Sequence, residues 1–230
     1  MQNVVITDVP RADAASVKVL GEAGSATVHE AMGRLGLMHP RLRPIWPKAR
    51  MSGTAVTVLS RPGDNWMLHV AVEQCGPGDV LVVALSSEST DGMLGDLLAT
   101  SLKARGVVGV VMDAGCRDVA TLAEMGFPVW SRAISAAGTV KATLGSVNIP
   151  VVCGEALVHP GDVVVADDDG VVVVPRADAV EIAGKAAARM ANENDKRARL
   201  AAGELGLDLY KMRESLAAAG LVYRKASDIR

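Results

Sequence analysis

Residues 80–132 repeat one pattern: an aliphatic run, a polar turn, then a stretch with helical spacing. "VLVVAL" leads through "SSESTDGML" into "GDLLATSLKAR". "GVVGVVMD" leads through "AGC" into "RDVATLAEM", and "FPVWSR" follows. Short apolar runs bounded by Gly and Asp read as buried strands, and strands alternating with helices build parallel βα units. This constrains the fold more than any other feature, because a parallel sheet must be covered on both faces. Composition agrees: half of the chain is hydrophobic but only 3% is aromatic. The core is therefore built from Val, Leu and Ala, with small residues on the covering helices.

The other segments sort by their punctuation. Thr27 opens "TVHEAMGRLG", a short helix closed by Gly36. Residues 39–53 hold Pro40, Pro44 and Pro47 and read as a loop. "TAVTVLS" at 54–60 alternates as a strand, and "NWMLHVAVEQ" at 65–74 places Met67, Val70 and Ala71 at helical spacing. "VVCGEALVHPGDVVVADDDGVVVVP" has short runs joined by tight turns, with no room for helices, so its strands are antiparallel. Within it "ADDDG" lacks the spacing of a calcium loop, and Asp-Gly between valine runs signals a hairpin. A long helix is expected from about Ala177 to Ala202, ended by Gly203, with a further helix in "GELGLDLYKMRESLAAAG". The class is α/β, with parallel and antiparallel parts around one core.

Net charge is −2, and no block of Lys and Arg stands apart from acidic residues. That balance argues against a nucleic-acid surface. The apolar runs are too short for a membrane span, and the start of the chain has no signal-peptide pattern. Cys75, Cys116 and Cys153 are widely spaced, which fits reduced thiols rather than a disulfide framework or zinc site. A cytoplasmic protein is expected.

In parallel βα units, ligands bind at the carboxyl ends of the strands. Two such loops carry chemistry, one leading to Gly95 and Asp96 and one through Cys116 to Arg117 and Asp118. If their strands are neighbours, both carboxylates and Arg117 share a crevice with the first amides of the helix at 95–98. Helix N-termini bind anions, and carboxylates with waters suit Mg2+ or Mn2+. The alternative is structural: Asp96 N-caps its helix and Asp118 sits in the first turn of the next. The histidines show no ligand spacing, and His69 reads as a packing residue. Lys103 and Lys141 do not stand out as Schiff-base lysines, and Cys116 reads as packing.

"GDLLATSLKARGVVGVVMDAGCRDV" closely resembles the signature of the RraA-like family. Within that family it is similar to the metal-dependent 4-hydroxy-4-methyl-2-oxoglutarate/4-carboxy-4-hydroxy-2-oxoadipate aldolases, class II pyruvate aldolases of aromatic-acid breakdown. The resemblance extends to "GDNWMLHVAVE", "GPGDVLVV", "HPGDVVVADDDGVVVVP" and the tail "KRARLAAGELGLDLYKMRESLAAAGLVY". It implies an α/β/β/α sandwich with a small central β-barrel, spanning residues 1–203. Residues 204–230 would be a helical extension packing on that domain or on a neighbouring subunit. It also implies trimers or hexamers with the active site between subunits.

By the same resemblance Asp118 binds Mg2+ or Mn2+ directly and Asp96 holds metal waters, while Glu193 reaches the metal from a neighbouring subunit. Arg117 stabilises the enolate, and Gly95, Asp96, Leu97 and Leu98 cradle the substrate carboxylate. Asn65 and Glu30 lie around the site, with Glu30 or a water it orders taking the C4 hydroxyl proton. The implied products are pyruvate plus pyruvate or oxaloacetate, with oxaloacetate decarboxylation as a side activity. A ribonuclease-binding regulator of the same fold is the alternative. Two departures bear on substrate preference: the polar loop before Gly95, with Asp91, and Cys116 where an aliphatic residue or Thr is usual.

Overall fold

The structure is a computed structural model that describes residues 3–228. Its main body takes in the chain up to Ala187, and residues from Ala188 onward form a second, smaller unit.

The body is built on a mixed sheet. Four parallel strands form its centre, in the spatial order β6 (Val129–Ile134), β5 (Gly109–Cys116), β3 (Asp79–Leu85) and β2 (Met51–Ser60). Short β4 (Gly92–Leu94) pairs parallel with the end of β5, and β1 (Arg43–Pro44) pairs antiparallel with β6. On the other side β10 (Val163–Ala166) runs antiparallel to β2, and β11 (Val171–Val174) to β10. Another short strand, β7 (Ser146–Val147), pairs with the end of β2. The hairpin of β8 (Val151–Cys153) and β9 (Ala156–Val158) forms a sheet of its own.

Strand alternation divides the core. Val80, Val82, Val111, Trp130, Val164 and Val171 face one side, where they meet Val151, Cys153 and Val158 of the β8–β9 hairpin. Their neighbours in sequence face the other side. There, Val58, Leu81, Val83, Val110 and Met112 pack with residues of three helices: α3 (Trp66–Val72), α4 (Asp96–Ala104) and α5 (Val119–Glu124). Beside them, Val163, Val165, Val172 and Val174 pack with residues of α1 (Ala14–Ala23), α2 (Ser25–Ala31) and the first turns of α6 (Ala179–Ala201). Each fully buried Val or Leu contributes about 1.5–3 kcal/mol by leaving water. This gives the α/β layering expected, with the hairpin filling the curl of the sheet.

Three expectations shift in detail. The loop at 86–94 contains β4, whose three residues are too few to show a period. The strand expected at 106–113 is β5, which ends at Cys116, so that thiol is a core residue. The single helix expected after Gly203 is two short ones, α7 (Gly206–Leu209) and α8 (Arg213–Ala218). In addition, the compact body ends inside α6 rather than at Gly203: beyond Ala186 no described residue of the chain is buried.

Candidate active site

The two carboxyl-end loops do meet, because β3 and β5 are adjacent and parallel, with Val80 opposite Gly109 and Val83 opposite Met112. Arg117 and Asp118 follow directly on β5, and the Arg117 N–H donates to the Leu94 carbonyl (2.9 Å), tying them to β4. Gly95 caps α4 and Asp96 is its first residue.

Asp118 decides between the structural and the chemical reading. It stands at the N-cap position of α5 in the left-handed region (φ 57°), and its side chain caps nothing there. Left-handed backbone is uncommon outside glycine, although Asp tolerates it, and it often marks a functional position. The turn sends the carboxylate back toward α4. There Oδ2 accepts from the Asp96 N–H (3.2 Å) and lies 3.5 Å from Arg117 Nε. A Cβ added to Gly95 would come within 2.2 Å of that same oxygen, although the φ of −136° suits any residue. Glycine is needed here for the close approach of Asp118.

Around this point lies a cleft of about 100 Å³, some three times a water's share of liquid volume of about 30 Å³. Asn65, His69, Gly92, Met93, Gly95, Asp96, Leu97, Leu98, Arg117 and Lys141 line it. Its floor is the start of α4. The Leu97 N–H is satisfied by Asp96 Oδ1 (2.8 Å), while the Gly95 and Leu98 N–H groups have no partner among the described residues. Free amides at a helix N-terminus suit a carboxylate. Asn65 donates from Nδ2 to the Met93 carbonyl (3.0 Å), and its buried Oδ1 has no donor. An unsatisfied buried acceptor is costly, and here it borders the cleft.

Asn65, Gly95, Asp96, Leu97, Leu98, Arg117 and Asp118 are thus brought together. Glu30 and Glu193 are not. Glu30 lies on α2, whose residues pack against β10 and β11, and bonds Arg34 at 3.1 Å. Glu193 belongs to the second unit and pairs with Arg189 at 2.8 Å. His69 and Lys141 line the cleft although the sequence gave no sign of it. Their only signal was position, since His69 follows Asn65 by one helical turn. Partial burial, and then the Lys141 charge, hold His69 below its usual pKa.

Asp96 and Asp118 are acid ligands, and no group of three His, Cys, Asp or Glu side chains that could hold a metal is present among the described residues. Two carboxylates suit Mg2+ or Mn2+, which keep several waters, and are too few for a closed zinc site. Cys116 is buried in the core, and its thiol is pushed up to about 12, chiefly by burial. "ADDDG" is the β10–β11 hairpin loop, with Asp167 and Asp168 bonded to backbone amides.

The RraA-like family profile, described as Aldolase/RraA, matches residues 25–173. The chain belongs to the RraA-like family. A Halalkalibacterium halodurans relative, provisionally named a 4-hydroxy-4-methyl-2-oxoglutarate aldolase, is 27% identical over 183 residues, spanning 80% of this chain and 87% of its own. A Burkholderia multivorans relative with the same provisional name is 34% identical over 143 residues, spanning 62% of this chain and 87% of its own. The crystal structure of Streptomyces coelicolor RraAS2, described as an unusual member of the ribonuclease ES inhibitor RraA family, superposes with a TM-score of 0.74. It is 32% identical and covers 83% of this chain and 99% of its own. No described helix is long and apolar enough to cross a membrane.

Proposed function

We propose that this RraA-like protein is a lyase, a divalent-metal-dependent pyruvate aldolase. Its substrates would be 4-hydroxy-4-methyl-2-oxoglutarate, 4-carboxy-4-hydroxy-2-oxoadipate or both, in the breakdown of aromatic acids. The observation that carries the reading is Asp118, turned by a left-handed backbone into a cleft that also holds Arg117 and the free amides of α4. The provisional names of the relatives support the same class.

Cleavage breaks the C3–C4 bond of a 4-hydroxy-2-oxo acid. The bond's electrons move toward the C2 oxygen, the C4 hydroxyl loses its proton, and C3 gains one to give pyruvate. Asp118 and Asp96 would hold Mg2+ or Mn2+, which supplies Lewis acidity at the 2-oxo group. The Gly95 and Leu98 amides hold the C1 carboxylate, and the Arg117 guanidinium stabilises charge developing on the C2 oxygen. Asn65 Oδ1 accepts the hydroxyl hydrogen. His69, kept neutral, is the cleft-lining base for that proton. Oxaloacetate decarboxylation passes through the same pyruvate enolate and belongs to the same proposal.

Self-association into a trimer or hexamer is part of this reading. Leu97 at the cleft is 81% exposed, and Ile134 and Val140 are exposed too. A neighbouring copy covering them would bring a further carboxylate, for which Glu193 is the candidate. Pyruvate release from 4-hydroxy-2-oxo acids and oxaloacetate, followed with lactate dehydrogenase, tests the proposal. Release that needs Mg2+ or Mn2+ and stops on chelation is expected, and no release from any of these substrates would refute it. The likeness to RraAS2 favours a second reading, ribonuclease inhibition by contact. Inhibition of a ribonuclease E-type enzyme without pyruvate release would establish that reading instead.

A further inference from the structure

Lys141 lines the cleft, yet its ammonium has no hydrogen-bond or ion-pair partner among the described residues. It is not placed loosely. The chain is pinned on both sides of it: the Asn65 N–H donates to the Val140 carbonyl (3.1 Å) and the Val140 N–H to the Gly63 carbonyl (2.9 Å). Asp64 Oδ2 accepts from the N–H groups of Ala142 (2.9 Å) and Thr143 (2.7 Å). Its other oxygen takes the Trp66 N–H (2.9 Å), at the start of the helix that bears His69.

Asp64 is only 2% exposed, so one buried carboxylate joins the Lys141 loop to α3 across most of a hundred residues of sequence. A buried charge is tolerated when hydrogen bonds satisfy it, and these three amides do so. The clamp holds an unpaired cation on one element while the free amides of α4 stand on another. Together they fit a ligand with two negative ends.

We infer that Lys141, positioned by Asp64, receives the second carboxylate of a 2-oxo dicarboxylate and makes the cleft prefer di-acids over mono-acids. This rests on the aldolase reading for the orientation of substrate, with the first carboxylate on the α4 amides. Lys141 is the group touching ligand, and Asp64 acts only through it. A charged hydrogen bond gained by one ligand and not the other is expected to separate their affinities about tenfold.

Calorimetric titration of the full chain in Mg2+ buffer, with 2-oxoglutarate and 2-oxobutyrate as probes, tests this without turnover. The wild type should bind 2-oxoglutarate about tenfold more tightly. Lys141→Met should erase that preference with little change for 2-oxobutyrate, and Lys141→Arg should keep most of it. Asp64→Asn should reduce the preference while the circular dichroism spectrum is retained. Equal binding of the two acids by the wild type, or a preference that survives Lys141→Met, overturns the subsite. A preference that survives Asp64→Asn overturns the positioning role. A Lys141-dependent preference in a protein that releases no pyruvate would support the subsite and refute the aldolase.

Discussion

Two places in this molecule set aspartates beside the start of a helix, and they use them in opposite ways. In the β10–β11 hairpin, Asp167 accepts from the Ser25 N–H at the start of α2, from the Ser25 hydroxyl and from the Asp169 N–H. Asp168 takes the Lys48 N–H through both oxygens. These carboxylates are consumed by the fold. At the end of β5, Asp118 leaves its own helix uncapped and meets one amide at 3.2 Å and one guanidinium at 3.5 Å. Its remaining capacity to accept faces a cleft. Acidic residues at a turn become a site when the backbone leaves their lone pairs unused, and residue type alone does not reveal that.

The largest expected contrast comes from removing each carboxylate. Asp118→Ala should lower pyruvate release by about a thousandfold or more, as when a group that stabilises developing charge is lost, with little change in melting temperature. Asp167→Ala should do the reverse. Loss of a helix cap costs about 1 kcal/mol, or a melting shift of about 2–4 °C in a protein this size, with kcat/KM unchanged. Equal activity losses in the two variants would erase the distinction.

Gly95→Ala sharpens it next. The added methyl group would press on Asp118 Oδ2 and Arg117 Nε. A displacement on the order of 1 Å at a reacting group costs about a hundredfold, so kcat/KM should fall by that order while circular dichroism is unchanged. An active Gly95→Ala enzyme would mean that the close approach is irrelevant.

Acid should loosen the clamp at a smaller scale. Burial pushes the Asp64 carboxyl up, but the amide hydrogen bonds of Trp66, Ala142 and Thr143 outweigh it and hold its pKa below the usual value. The folded group therefore stays ionised to lower pH than the unfolded one. Its stabilisation is complete above the unfolded value of about 3.9 and is lost as pH falls through the folded value. Denaturant midpoints measured from pH 6 to pH 2 should fall in the acidic part of that range, and less steeply in Asp64→Asn. The smallest effect is at Cys116, whose buried thiol is pushed up to about 12. Iodoacetamide at neutral pH should leave it unlabelled until the protein is unfolded.

The strands and most helices were legible because aliphatic runs and polar turns carry their own period. Asp96, Arg117 and Asp118 were legible as a pair of loops once β3 and β5 were taken as neighbours. The left-handed turn at Asp118 was not, because an aspartate after an arginine has no spacing that announces φ. Lys141 and His69 were missed for another reason. Lys141 reaches the cleft through backbone bonds to Asp64, a contact between distant parts of the chain. Cys116, reading as packing, does pack.

The left-handed backbone of Asp118 fixes the aim of its carboxylate in the main chain, at the rigid end of a central strand. Lys141 stands on a separate loop, held by hydrogen bonds that other sequences can also make. Reaction and selectivity therefore rest on different supports. A change in the loop around Lys141 can redirect this scaffold to another acid while the reacting end stays as it is.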